Sequence, residues 1–189
     1  MEPNDGVTPT ETPEALVAEL VQAREEFLRA LADVEPALLT TPGLVGDWSA
    51  RELIAHLGYW SGHAAEALHL AAEGRADEFG EEGLDVDERN AVVARIAAES
   101  ELRQVREREA AAFEALLEAL RDATHDDLAE RVAYGDTVAE VVRDDGADHY
   151  REHTLDLRAW FTGEPEPDDD EPDDLDEADE ADEAHEADA

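Results

Sequence analysis

An all-α fold, a four-helix bundle, is what this sequence predicts. Apolar residues recur at helical spacing over several long stretches, and helix-start signatures stand at the head of those stretches. No alternating run of strand length occurs anywhere in the chain.

The elements follow in order. Thr12-Pro13-Glu14 opens the first helix: a hydroxyl cap, Pro where the missing N–H costs nothing, and an acid for the helix dipole. Leu16, Leu20, Phe27, Leu31 and Val34 then form one stripe running to Pro36. The stretch 40–47 is dense in turn residues and predicts a loop. Ser49-Ala50-Arg51-Glu52 is a capping box, behind which Leu53, Ile54, Leu57, Trp60, Ala64, Leu68 and Ala71 define a second amphipathic helix closed by Gly74. Residues 75–86 are rich in Gly and acids and read as a loop. A short helix is expected over Asp87–Ala98 and a long one from Ser100 to about Asp122, lined by Leu102, Val105, Phe113, Leu116, Leu117 and Leu120. The join near Ser100 is open in this reading. Residues 123–136 read as a loop, and a second capping box, Thr137-Val138-Ala139-Glu140, starts the last helix, which runs to Phe161. Gly146 interrupts that helix at a cost of about 1 kcal/mol and marks a bend or a close helix contact.

The charge narrows the function classes. The 189 residues carry 53 acids against 14 basic residues, for a formal net charge of −39, and every basic residue is Arg. Sixteen of the acids fall in Glu164–Ala189, a stretch whose one large apolar side chain is Leu175. Such a segment cannot bury enough surface to offset chain entropy, so it reads as a disordered tail. Residues 1–11 read as a shorter disordered end, leaving 12–163 as the bundle domain. Without the tail, 37 acids face 14 Arg, a net −23. A salty cytoplasm or the bias of a GC-rich genome would each account for part of this. A body so acidic repels phosphate backbones and anionic headgroups, so neither nucleic acid nor membrane is an expected partner. The absence of Cys removes disulfides, thiolate nucleophiles and Cys-ligated metals. No apolar run approaches the ~18 residues of a spanning helix. No basic segment followed by an apolar one opens the chain, and a cytoplasmic location is expected.

Three of the seven histidines occupy informative positions. His56 falls three residues after Leu53 and four before Trp60, which places it on the apolar face of the second helix. His149 and His153 are four apart, one above the other on the last helix, on a face shared with Val142, Asp145 and Trp160. Two His at this spacing can bind one divalent metal, and a third from a facing helix completes a three-nitrogen cap with open positions for water or substrate. A histidine on an apolar face is, however, more often a hydrogen-bonded core residue, and such pairs also arise by chance. His63, seven residues after His56, is a rival ligand or a cleft residue. His69 and His125 look peripheral, and His185 lies in the tail. Asp145 and Glu152 are candidates to orient the imidazoles, with Glu152 better read as a solvated helix acid.

The segment Gly46–Leu57 (GDWSARELIAHL) resembles the start of the second helix in the DinB/YfiT-like superfamily. Asp148-His149-Tyr150-Arg151-Glu152-His153, with Leu157 and Trp160, resembles that family's last helix, and Asp87–Ala91 its third-helix start. The resemblance spans about 12–163. It implies a four-helix bundle, often a homodimer, whose divalent metal would be held by His56, His149 and His153. Related branches include mycothiol-dependent maleylpyruvate isomerase, other thiol-dependent transferases, and ClbS/DfsB-like proteins. All-His ligation suits Zn²⁺, Ni²⁺ or Fe²⁺.

Two function classes follow. One is a divalent-metal-dependent enzyme acting on a small electrophilic substrate, either a thiol-dependent transferase or isomerase or a hydrolase. Any thiol would be a low-molecular-weight co-substrate, since the chain has none, and Tyr59, Trp60, His63, Asn90 and Tyr134 are candidates for the cleft wall. The alternative is a non-catalytic small-molecule or metal-binding protein of a stress or resistance response. A weaker third reading gives the acidic tail a basic partner or cations, against simple solubility.

Overall fold

The computed structural model describes residues 12–80 and 85–162. The expected disordered segments, 1–11 and 164–189, lie outside these residues, as do 81–84 of the expected loop at 75–86.

Helix α1, Pro13–Asp33, begins as its sequence dictates, with the Thr12 hydroxyl accepting the Ala15 N–H at 3.3 Å. Its stripe of Leu16, Leu20, Ala23, Phe27 and Leu31 is buried. Helix α2, Ala50–Ala72, is capped by the full Ser49/Glu52 box and ends before Gly74, whose φ of 68° is the left-handed turn that glycine favours. Helix α3, Val86–Ala98, is capped by Asp85. The join at Ser100 resolves as a true break, since Glu99–Glu101 separate α3 from α4, Leu102–Asp122.

One expectation needs correction. The loop read over 123–136 contains a short helix, α5, His125–Ala129, held by a reciprocal Thr124/Asp127 cap. The signature is present, but Asp rather than Glu stands at its third helical position. A bridge between Arg131 and Thr137 then leads the chain into α6, Val138–Val142.

Helix α6 does not end where its hydrogen-bond pattern changes. It passes through a π-helical turn, Arg143–Asp148, directly into α7, His149–Thr162. Gly146 sits in this turn, and a Cβ there would meet Leu20 Cδ1 at 3.3 Å and Leu116 Cδ2 at 3.8 Å. The glycine is therefore both the wide turn and the close contact that its sequence position suggested.

The four long elements α1, α2, α4 and α6–α7 form the bundle, with α2 packed chiefly on α4, α1 on α7, and α3 against α2. Gly58 permits the α2–α4 crossing, because a Cβ there would lie 2.9 Å from Glu109 Cα. Leu53, Ile54, Leu57, Leu116, Leu120 and Leu157 fill the centre. Within that core, Glu109 accepts two bonds from the Arg24 guanidinium (2.6 and 2.9 Å) and one from the Tyr150 hydroxyl (2.7 Å), tying α1, α4 and α7 together. Among the described residues no strand forms, and no helix is long and apolar enough to cross a membrane.

Candidate metal centre

The two helices that carry the singled-out histidines meet at the open end of the bundle. His56 lies one and a half turns into α2, and His149 and His153 occupy the first turns of α7. The three rings form a near-equilateral triangle, with centroids 4.6 Å (His56–His149), 4.8 Å (His149–His153) and 5.1 Å (His56–His153) apart. One nitrogen from each lies within 4.8 Å of the others. His56 and His153 are buried and His149 nearly so.

Burial, reinforced by the neighbouring imidazoles, drives the pKa of His56 and of His149 down to about 3, so both rings are neutral at physiological pH. Neutral imidazole is the form that offers a lone pair to a cation. The nitrogens also fit one in spacing. Nitrogens ~2.0–2.1 Å from a shared cation stand roughly 3 Å apart, close to the 2.8 Å between His56 Nε2 and His149 Nε2. His149 Nδ1 is buried without a hydrogen-bond partner. Burying three imidazoles with so few partners costs free energy that packing does not require, and a bound cation would recover it.

The surroundings divide into two groups. His153 Nδ1 donates to the Asp156 carboxylate at 2.6 Å, which fixes its orientation and leaves Nε2 facing His56 and His149. Trp48 and Trp60 flank His56, with ring centroids at 5.1 and 6.2 Å. The Trp60 indole N–H lies 3.2 Å from His56 Nδ1 and 3.1 Å from Asn90 Oδ1.

The second group is built on His63. Asp145, a candidate to orient the triad, instead accepts from His63 Nδ1 at 2.7 Å. The π turn carries Asp145 toward His63, while His149, one turn on, faces His56. Arg89 donates to His63 Nε2 at 3.1 Å, and Phe79 packs on the ring at 4.5 Å. His63 is thus not brought into the triangle and belongs to the adjoining wall. Burial raises the Asp145 carboxyl above its usual range, partly offset by His63. Tyr59 contacts Trp60 and His63, and Tyr134 lies beside Phe79 with more than half its surface exposed. Glu152, His69 and His125 are exposed. Sequence reasoning missed Asp156, Trp48 and Arg89. Of these, Asp156 had a local signal, lying one turn after His153.

A profile of the DinB superfamily matches residues 19–157. The chain belongs to that family. No curated protein shows significant similarity to it. Solved structures of the same fold include an uncharacterised Escherichia coli UTI89 protein (TM-score 0.64, 16% identity, covering 81% of this chain and 94% of that one). A mycothiol-dependent maleylpyruvate isomerase matches at TM-score 0.65 and 19% identity, over 77% of this chain but 60% of the enzyme. The colibactin self-resistance protein ClbS, solved with double-stranded DNA, matches at 0.64 and 16%, over 80% of this chain and 96% of that one. At these identities the likeness is one of fold, and this DinB chain spans less than two thirds of the isomerase.

Proposed function

We propose that this DinB protein is a divalent-metal-dependent enzyme that activates a thiol or water against a small electrophilic substrate. The observation that carries the reading is the convergence of three neutral imidazoles from two helices on one point at the mouth of the bundle. His56, His149 and His153 would hold the ion. A cation capped by three nitrogens keeps positions open and lowers the pKa of a thiol or water placed there toward neutrality. Asp156 holds the His153 ring in place. Trp48 and Trp60 exclude water from one side of the triangle and offer flat apolar surface to a substrate. His63, fixed by Asp145 and Arg89, supplies a polar wall beside it. The absence of Cys means that any thiol arrives as a small co-substrate, in keeping with the mycothiol dependence of the isomerase of like fold.

The test is the metal content of untagged protein by elemental mass spectrometry, wild type beside His149→Ala, with circular dichroism as a check on folding. Near-stoichiometric metal that the variant loses is the expected result. No metal in either protein, and none taken up on adding Zn²⁺ or Ni²⁺, overturns the reading in favour of a non-catalytic binding protein.

A further inference from the structure

The three imidazoles are not equally ready for a cation, and the difference lies in one shared hydrogen. Indole N–H only donates, so His56 Nδ1, 3.2 Å from Trp60 Nε1, presents its lone pair there. The single proton of the neutral His56 ring then sits on Nε2 and bridges to His149 Nε2 at 2.8 Å. His149 accepts at Nε2 and His153 donates from Nδ1 to Asp156, so these two rings already hold an Nε2 lone pair toward the centre of the triangle. His56 presents a proton to the same point.

For His56 to ligate through Nε2, its proton must leave that nitrogen and another must be carried on Nδ1. The ring stays neutral throughout. On Nδ1, however, the proton meets the Trp60 N–H, donor against donor. Asn90 Oδ1 already accepts that N–H at 3.1 Å, and the Asn90 side chain also reaches His56. A carbonyl oxygen has two lone pairs, enough for the indole N–H and an imidazole Nδ1–H together.

We propose that Asn90, on α3, is the positioning residue that allows His56 to become a metal ligand, by accepting the Trp60 and His56 N–H groups at once. This rests on the metal-site reading above and adds a division of labour. Asp156 presets His153 permanently, whereas Asn90 stabilises only the loaded form of His56. Trp60, although hydrogen-bonded to a ligand, opposes loading.

The experiment is titration of apo protein with Co²⁺ and with Zn²⁺ against a chelator, for wild type, Asn90→Ala, Asn90→Asp, Trp60→Phe and the Trp60→Phe/Asn90→Ala double variant. Melting temperatures of the apo forms confirm the fold. Losing a partner of this kind costs about 10–100-fold in metal affinity, and Asn90→Ala is expected to fall in that range. Its Co²⁺ visible spectrum should shift toward that of His56→Ala. Asn90→Asp keeps an acceptor and should retain wild-type affinity. Trp60→Phe should bind as tightly as wild type or more tightly, and should recover part of the loss in the double variant. A merely structural role for Asn90 predicts additive losses instead. Tight binding by wild type with unchanged affinity in Asn90→Ala, or a Trp60→Phe loss equal to that of Asn90→Ala, overturns the proposal while leaving the metal site standing. Failure of wild type to bind overturns both.

Discussion

Glu109 is buried at the meeting of α1, α4 and α7, where the Arg24 guanidinium takes both its oxygens and Tyr150 donates to one of them. The bond from Glu109, more than its charge, holds the Arg24 pKa above its ordinary value, while burial beside the carboxylate keeps the Tyr150 phenol far above its own. Removing the carboxylate strands a half-buried cation. Glu109→Ala should therefore cost about 3–5 kcal/mol, read from the midpoint of urea unfolding, whereas Tyr150→Phe, which leaves the Arg24–Glu109 pair intact, should cost about 1 kcal/mol. Comparable losses would mean that the pair contributes little. At the candidate site, His56 and His149 titrate at about 3 in the folded protein against 6.5 in an ordinary histidine. Above pH 6.5 neither state carries their protons. As pH falls from 6.5 toward 3, only the unfolded chain takes them up, and stability drops by up to ~1.4 kcal/mol per pH unit for each ring. A His56→Gln/His149→Gln variant should lose stability less steeply than apo wild type between pH 6.5 and 4.5. Parallel curves would contradict the burial argument.

Helices α2 and α4 touch backbone to backbone at Gly58. A methyl group there would stand 2.9 Å from Glu109 Cα, with no flexible side-chain end to yield. Gly58→Ala should cost about 1–3 kcal/mol in thermal unfolding although it improves helix propensity, and a stabilised variant would show that the crossing has room. On α7, Asp156 lies one turn from His153 and bonds it at 2.6 Å. Asp156→Ala should weaken Zn²⁺ binding about 10–100-fold with little change in the apo melting temperature. Local signals made most of these elements legible. The Ser49/Glu52 and Thr137/Glu140 boxes gave their helix starts correctly, and Leu16, Leu20 and Phe27 gave the buried face of α1. Helix α5 escaped because five residues hold too little periodicity to register and its cap uses Asp127.

Over the whole molecule, legibility follows the range of the interaction. His56, His149 and His153 could be singled out because their faces are fixed by spacings of three and four residues within one helix. The assignment of Asp145 could not be made that way: its partner, His63, lies 82 positions earlier, and the π turn between α6 and α7 sets which way it points. Asn90 and Trp60 share a hydrogen across α3 and α2, a relation that no linear pattern encodes. The charge is global in another sense. With a formal −39 spread over 189 residues, self-repulsion opposes compaction, and screening should relieve it. The melting temperature should rise between low salt and about 1 M NaCl, where the screening length is ~3 Å. A flat response would mean that the acids are already spaced widely enough not to matter.

The π turn at Arg143–Asp148 amounts to one residue more than a regular helix would use between the Thr137 cap and the histidine pair. Each residue of α-helix advances the direction of a side chain by about 100°. Deleting a single residue from that turn would leave the capping box, the helix and the composition almost unchanged, yet swing His149 and His153 about a quarter of the way round the bundle. In this chain, the coordinating edge of α7 is set by a count of one, and a lineage that lost or gained that residue would keep its architecture while aiming a different face of the helix at its substrates.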